Sequence, residues 1–207
     1  MAQSTDISPL TLNRLSVYLR GLRSLQRENV RRISSREMAR RFKLSAAQIR
    51  KDLAQFGEFG IRGVGYEVAN LRERLEELLG LQREHLAIIV GAGNIGSALA
   101  RFPGLNSGSF RVVALIDIES DLIGHEVGPL KVQSSTRLPE IVRDTQAEMG
   151  ILAVPAEAAQ ENYDALVEAG IGAVLNFAAV HIDEDERARV KNVDLLIFLE
   201  ELAYFLR

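Results

Sequence analysis

The sequence predicts an α/β chain made of two unlike parts, and three observations predict it. The first 80 residues hold helical periodicity and no convincing run of buried strands, whereas from Leu86 onward short apolar runs alternate with helical patterns. An apolar run, Leu86 to Val90, leads straight into Gly91-Ala92-Gly93-Asn94-Ile95-Gly96 and then an apolar helix. Charge is divided the same way. Residues 1–66 carry 13 Lys/Arg against 5 Asp/Glu, a net +8, and the remainder carries 12 against 23, a net −11. A basic head on an acidic body implies that only the head meets a polyanion.

In the head, Leu12, Leu15, Leu19, Leu22 and Leu25 recur at helical spacing and predict a helix over 9–27. Ser34 and Glu37 form a capping-box pattern that starts a short helix through Phe42. After a turn at Lys43-Leu44, Ser45 is a second N-cap, for a helix over 46–56 that carries Gln48, Arg50 and Lys51. Two short helices joined by a tight turn outline a helix-turn-helix. Gly60, Gly63 and Gly65 then punctuate β-prone pieces, as in a hairpin wing with Arg62 near its tip, and a polar helix over 71–79 leads out. A purely structural three-helix bundle fits the same pattern, and the glycines alone would serve a turn. The charge split favours DNA: an Arg-Lys pair reaches a guanine edge and a phosphate, and a wing arginine suits a narrow A·T minor groove.

In the body, strands over 86–90, 111–116, 149–153 and 173–176 alternate with helices over 95–102, 137–145 and 156–169. That order predicts a Rossmann-type parallel sheet covered on both faces. G-x-G-x-x-G alone is a weak pattern, but here it follows a strand and opens a helix, and Asp117 ends the next strand. In this context Gly91 permits the tight turn, Gly93 lets a diphosphate approach the backbone, and Gly96 lets the helix pack on the sheet. The helix start offers free N–H groups to the diphosphate. A carboxylate at position 117 accepts from ribose hydroxyls and repels a 2′-phosphate, favouring NAD(H) over NADP(H), unless it only caps its loop. The acids Asp183 to Glu186 read as an exposed helix start.

The last segment, from Leu195, is helical by length and apolar on nearly every side, so it needs more covering surface than one small domain supplies. The chain has no cysteine, which excludes disulfides, thiolate metal sites and thiol redox switches. No apolar run reaches membrane-spanning length, and the chain reads as soluble and cytoplasmic with no metal. Of the three histidines, only His181 sits where it could serve a nicotinamide, and no substrate clamp is recognisable beside it. Two alternatives stay open on the residues alone: an NAD-dependent dehydrogenase with a helical appendage, and a nucleotide- or CoA-binding module with a protein-interaction head.

IRKDLAQFGEFGIRGVGY, IIVGAGNIGSALA, LAVPAEAAQ and VLNFA, taken together, resemble the Rex family of redox-sensing transcriptional repressors over nearly the whole chain. The resemblance implies a winged-helix domain over 1–80, an NAD(H)-binding domain over 81–194, and a C-terminal dimerisation helix over 195–207 that is swapped between subunits. It implies a cytoplasmic homodimer on palindromic operator DNA with an A·T-rich centre, released when NADH binds. DNA contacts are implied at Ser45, Gln48, Arg50, Lys51 and Arg62. Contacts to NADH or NAD+ are implied at Gly91, Ala92, Gly93, Asn94, Ile95, Gly96 and Asp117, and at Asn176 and Phe177 near the nicotinamide. Asp194 and Arg20 remain as switch partners. Phe102 stands where the family often has tyrosine, Ala179 where proline is common, and Leu195 where some members have phenylalanine.

Overall fold

The computed structural model describes residues 7–57, 59–61 and 64–206. The chain divides into two compact units, Met1–Arg83 and Glu84–Arg207.

In the first unit, α1 (Pro9–Arg27) starts where the Ser8 hydroxyl accepts the Thr11 N–H, with Pro9 in the first turn. Its buried stripe is Leu15, Tyr18, Leu19, Leu22 and Leu25. Ser34 caps α2 (Ser35–Phe42) by accepting the Glu37 N–H, and Lys43, left-handed at φ 55, closes it. Ser45 caps α3 (Ala46–Ala54), whose Ile49 and Leu53 pack with Met38 and the α1 stripe in one core. α4 (Val68–Leu78) adds Leu71 and Leu75 to that core, beginning three residues before the sequence reading placed it.

The head also contains strand structure that helical periodicity hides. β1 (Arg32–Ile33), β2 (Gly60–Ile61) and β3 (Gly65–Glu67) form an antiparallel sheet in the order β1-β3-β2. The expected wing is the β2–β3 hairpin. Its tip residues Arg62 and Gly63 lie outside the described residues.

The second unit is a seven-stranded sheet ordered β10-β9-β8-β4-β5-β7-β6. β4 (His85–Val90), β5 (Phe110–Asp117), β7 (Leu130–Ser134), β8 (Met149–Leu152), β9 (Ala173–Asn176) and β10 (Arg189–Asn192) pair in parallel, and β6 (Glu126–Val127) runs antiparallel to β7. Along β4, Ile88 and Val90 face a core shared with α6 (Leu138–Thr145) and α7 (Ala156–Glu168). Ala87 and Ile89 face the opposite core, beneath α5 (Asn94–Ala100). A strand buried on both faces reads as a continuous apolar run, which is why β4 and β5 were legible.

The acidic segment at Asp183 to Glu186 is not a helix start. Its backbone is drawn onto α7, where the Asp183 N–H donates to Gln160 and the Asp185 N–H to the Tyr163 hydroxyl at 2.8 Å, and it leads into β10. The final helix, α8 (Leu195–Tyr204), is capped by Asp194 and leaves its large apolar side chains exposed, Leu195 at 63% among them, as are Phe205 and Leu206 just after it.

Candidate functional site

Strand order reverses beside β4: the chain moves outward to β5 and β7, then returns to the other side of β4 as β8. Open parallel sheets form their ligand crevice at the carboxyl end of such a switch point. A cleft of about 600 Å³ lies there, lined among others by Gly91, Gly93, Asp117, Thr136, Val154 and Pro155.

The glycine loop has the geometry its sequence promises. Gly91 is at φ +99, and a Cβ on it would stand 2.4 Å from the Ala153 carbonyl oxygen. A Cβ on Gly96 would stand 1.8 Å from the Gly91 oxygen, so α5 can begin this close to the sheet only with glycine there. At Gly93 a Cβ would meet nothing within 4 Å. That open side is where a diphosphate would rest against the backbone, and the residues present fit the group. Asn94 and Ile95 are exposed on the same turn, and Ala92 is buried.

Asp117 is nearly buried at the end of β5, and its two oxygens are already engaged. Oδ2 accepts the Ala92 N–H at 2.5 Å and Oδ1 accepts the Glu119 N–H at 2.9 Å. The carboxylate therefore does cap its loop, while also lining the cleft; the two readings of this residue are not exclusive.

Asn176 ends β9. Its side chain is fully buried and engaged, with Nδ2 donating to the Val180 carbonyl and to Asn192 Oδ1, and Oδ1 accepting the Ala178 N–H, each at 2.9 Å. It shapes the 176–180 turn and ties β9 to β10, next to Phe177, which is half-buried. Phe177 packs with the α5-side core. His181 is exposed, 4.0 Å from Asp183, and does not line this cleft. Among the described residues no group of three His, Asp or Glu could hold a metal ion, and no helix is long and apolar enough to cross a membrane.

In the head, Ser45 and Lys51 are exposed on α3. Arg50 leans to one flank, where its Nη1 donates to Ser35 Oγ at 3.0 Å, and Gln48 leans to the other, half-buried. A residue that sequence reasoning missed organises this helix. Asp52 is fully buried: Oδ2 accepts from Arg14 Nε at 2.6 Å and from the Tyr18 hydroxyl at 2.7 Å. Oδ1 accepts from Arg14 Nη2 at 2.8 Å and Gln48 Nε2 at 2.7 Å. The Arg14 guanidinium, with smaller help from Tyr18 and Gln48, outweighs burial and holds the Asp52 carboxyl at about 2. Burial first, and the hydrogen bond to Asp52 second, push the Tyr18 phenol up. The Gln48–Asp52 spacing of four was the only local signal for this cluster, since Arg14 lies 38 residues away.

A winged helix-turn-helix and a dinucleotide-type cleft in one chain define the class of DNA-binding regulators that answer to a bound nucleotide. A family model described as "Putative DNA-binding protein N-terminus" matches residues 6–54, and one described as "CoA binding domain" matches residues 82–180. The redox-sensing transcriptional repressor Rex of Chloroflexus aurantiacus is 39% identical over 99% of this chain and 97% of its own length. Rex of Pelotomaculum thermopropionicum is 42% identical over 98% and 95%, and Rex of Deinococcus radiodurans 41% over 100% and 96%. The chain belongs to the Rex family of redox-sensing transcriptional repressors.

Among solved structures, RSP in complex with β-NAD+ and operator DNA superposes at a TM-score of 0.92. It is 34% identical, over 98% of this chain and 94% of that one. RSP in complex with β-NADH gives 0.88 at 33% identity, over 98% and 95%. The relatives are named as transcriptional repressors, which speaks for a regulator over the dehydrogenase alternative.

Proposed function

We propose that this protein is a transcriptional repressor that reads the NADH/NAD+ balance, holding double-stranded operator DNA until NADH binds and releases it. The observation that carries the reading is the open glycine loop at the sheet's switch point, joined in one chain to a capped helix-turn-helix. Its counterpart is a relative solved both with NAD+ and operator DNA and with NADH.

The residues divide the work. Loop amides between Gly91 and Gly96 hold the diphosphate, with Gly93 providing the approach. Asp117 receives the ribose hydroxyls, exchanging backbone partners for them, and excludes a 2′-phosphate by charge. Asn94 and Ile95 flank the diphosphate. Phe177, held by Asn176, offers an apolar wall to the nicotinamide end. Reduced nicotinamide is neutral and oxidised nicotinamide carries a positive charge, so an apolar wall favours the reduced form. Only such a difference in affinity can shift a two-state protein. With no cysteine in the chain, redox state enters through the ligand.

The working unit is a homodimer, supported by the unburied apolar surface of α8 and by Phe102, which is 55% exposed on the α5 side. Large continuous apolar surfaces mark association sites. In this reading α8 is exchanged between subunits and two heads meet a palindrome whose A·T-rich centre lies between them, with Ser45, Gln48, Arg50, Lys51 and Arg62 on the DNA and the protein in the cytoplasm beside its chromosome.

A labelled palindromic duplex with an A·T-rich centre, titrated with and without NADH, tests the reading. Binding that falls as salt rises, and is released by NADH but not by equal NAD+ or CoA, is the expected result. Binding indifferent to NADH overturns it.

A further inference from the structure

Helix-turn-helix domains read base edges mainly from the first turns of the recognition helix, and Gln48 stands there, three residues after the Ser45 cap. Its amide has two unlike ends, and the structure decides which one is spent. Asp52 is an ionised carboxylate, which only accepts hydrogen bonds, so the end facing it at 2.7 Å is Nε2. Asp52 has no freedom to turn away. It is fully buried, gripped by two nitrogens of Arg14 and by the Tyr18 hydroxyl. Arg14 is steadied in turn by Thr11, whose hydroxyl accepts from Nη2 at 3.0 Å. The amide of Gln48 is therefore left with its carbonyl oxygen and one N–H, side by side.

We infer that Asp52 is a positioning residue that presents Gln48 as a fixed donor–acceptor pair, matched to adenine in the operator's major groove. Adenine offers an acceptor at N7 and a donor at N6, the complement of what Gln48 has left. Guanine offers acceptors at both N7 and O6, which sets an oxygen against the amide oxygen. Cytosine satisfies only the acceptor half, and thymine offers an oxygen and a methyl group. Arg50, drawn to the opposite flank by Ser35, leaves this approach to Gln48 and the small exposed Ala47. The inference rests on the operator-binding reading above.

The test begins by selecting operators for the full-length protein from a randomised duplex library. Each half-site is expected to hold one adenine that depends on Gln48. Replacing that A·T pair by G·C weakens the wild type about tenfold or more, whereas Gln48→Ala discriminates the two by no more than about twofold, other positions being unchanged. Removing either partner atom, with 7-deazaadenine for N7 or purine for the N6 amino group, weakens the wild type and not Gln48→Ala. Asp52→Asn gives the sharper readout. Arg14 and Tyr18 retain the amide oxygen, the new nitrogen turns Gln48 around, and preference at that pair moves from adenine toward guanine. If Asp52→Asn proves unfolded by circular dichroism, Gln48→Ala and the base analogues decide alone. Gln48→Ala that binds tightly with an unchanged selected sequence overturns the inference. A full-length protein that enriches no sequence overturns the operator-binding reading instead.

Discussion

Asp117 at the end of β5 accepts the backbone N–H of Ala92 in the glycine loop, at 2.5 Å. The link joins the carboxyl ends of the first two parallel strands of the body. Asp117 is thus part of the loop's structure before any ligand arrives.

Asp117→Ala is expected to act on stability and on selectivity together. It leaves the buried Ala92 N–H without a partner, a loss of about 1–3 kcal/mol. It also lowers NADH affinity and lifts the repulsion of a 2′-phosphate, so the preference for NADH over NADPH narrows. Asp117→Asn retains an acceptor and recovers part of the stability but little of the selectivity. Thermal unfolding and calorimetry with both cofactors separate the two effects; a wild type that binds NADH and NADPH equally defeats the selectivity claim.

The Asp52 cluster makes the DNA-binding unit sensitive to acid. The carboxyl lies at about 2 in the folded protein against an ordinary 3.8, so its stabilisation is fully present above about pH 4 and is lost as pH falls toward 2. The shift corresponds to about 2 kcal/mol. Urea unfolding followed by circular dichroism between pH 6 and 2 is expected to show that loss in the wild type (with contributions from other carboxylates) and a flatter profile in Asp52→Asn. Parallel profiles for the two proteins would contradict the assignment.

Ala179 stands at φ +51, a left-handed conformation that costs a residue with a Cβ about 1–2 kcal/mol. Ala179→Gly is expected to raise stability by about 0.5–1 kcal/mol. Ala179→Pro, the residue the family resemblance associates with this position, cannot adopt that φ and is expected to lower stability and weaken NADH binding by displacing Phe177. Equal melting temperatures for the three proteins would show that the turn rearranges freely, against the two hydrogen bonds by which Asn176 holds it.

What the sequence made legible was local. Ser34 with Glu37, and Ser45 before Gln48, announce helix starts within one turn, and the glycine loop carries its constraints in six consecutive residues. What stayed hidden depends on distant partners. β1 is two residues long and exists because it pairs with β3, some 33 residues on. β10 reads as polar because it is an edge strand, ordered by its register against β9. Asn176 entered as a ligand contact through the family resemblance alone, and the partners of its side chain, Val180, Ala178 and Asn192, lie up to 16 residues on. Asp52 went unread although it stands four residues after Gln48, because its main partner, Arg14, lies 38 residues away and meets it only in the fold.

The C-terminal helix yields the prediction on which the switch depends. Leu195, Leu196, Phe198, Leu199, Leu202 and Phe205 are all more than half exposed, on faces that point in several directions. Burying a side chain of this size is worth about 1.5–3 kcal/mol, so leaving all of them in water would be a large cost for ten helical residues. In the proposed two-fold dimer each α8 would cover its apolar faces on the partner and each partner would be covered in return, so that one contact would occur twice. Deleting residues 198–207 is therefore expected to give monomers that still bind NADH weakly. Operator affinity falls much further, because a palindrome rewards two heads at a fixed separation and a lone head loses the gain from linked binding. Sedimentation reports the first outcome and titration of the palindrome the second. A truncated protein that stays dimeric, binds operator as tightly as the full chain and is still released by NADH would remove α8 from both assembly and switch, and would leave its exposed leucines to be explained by some other surface.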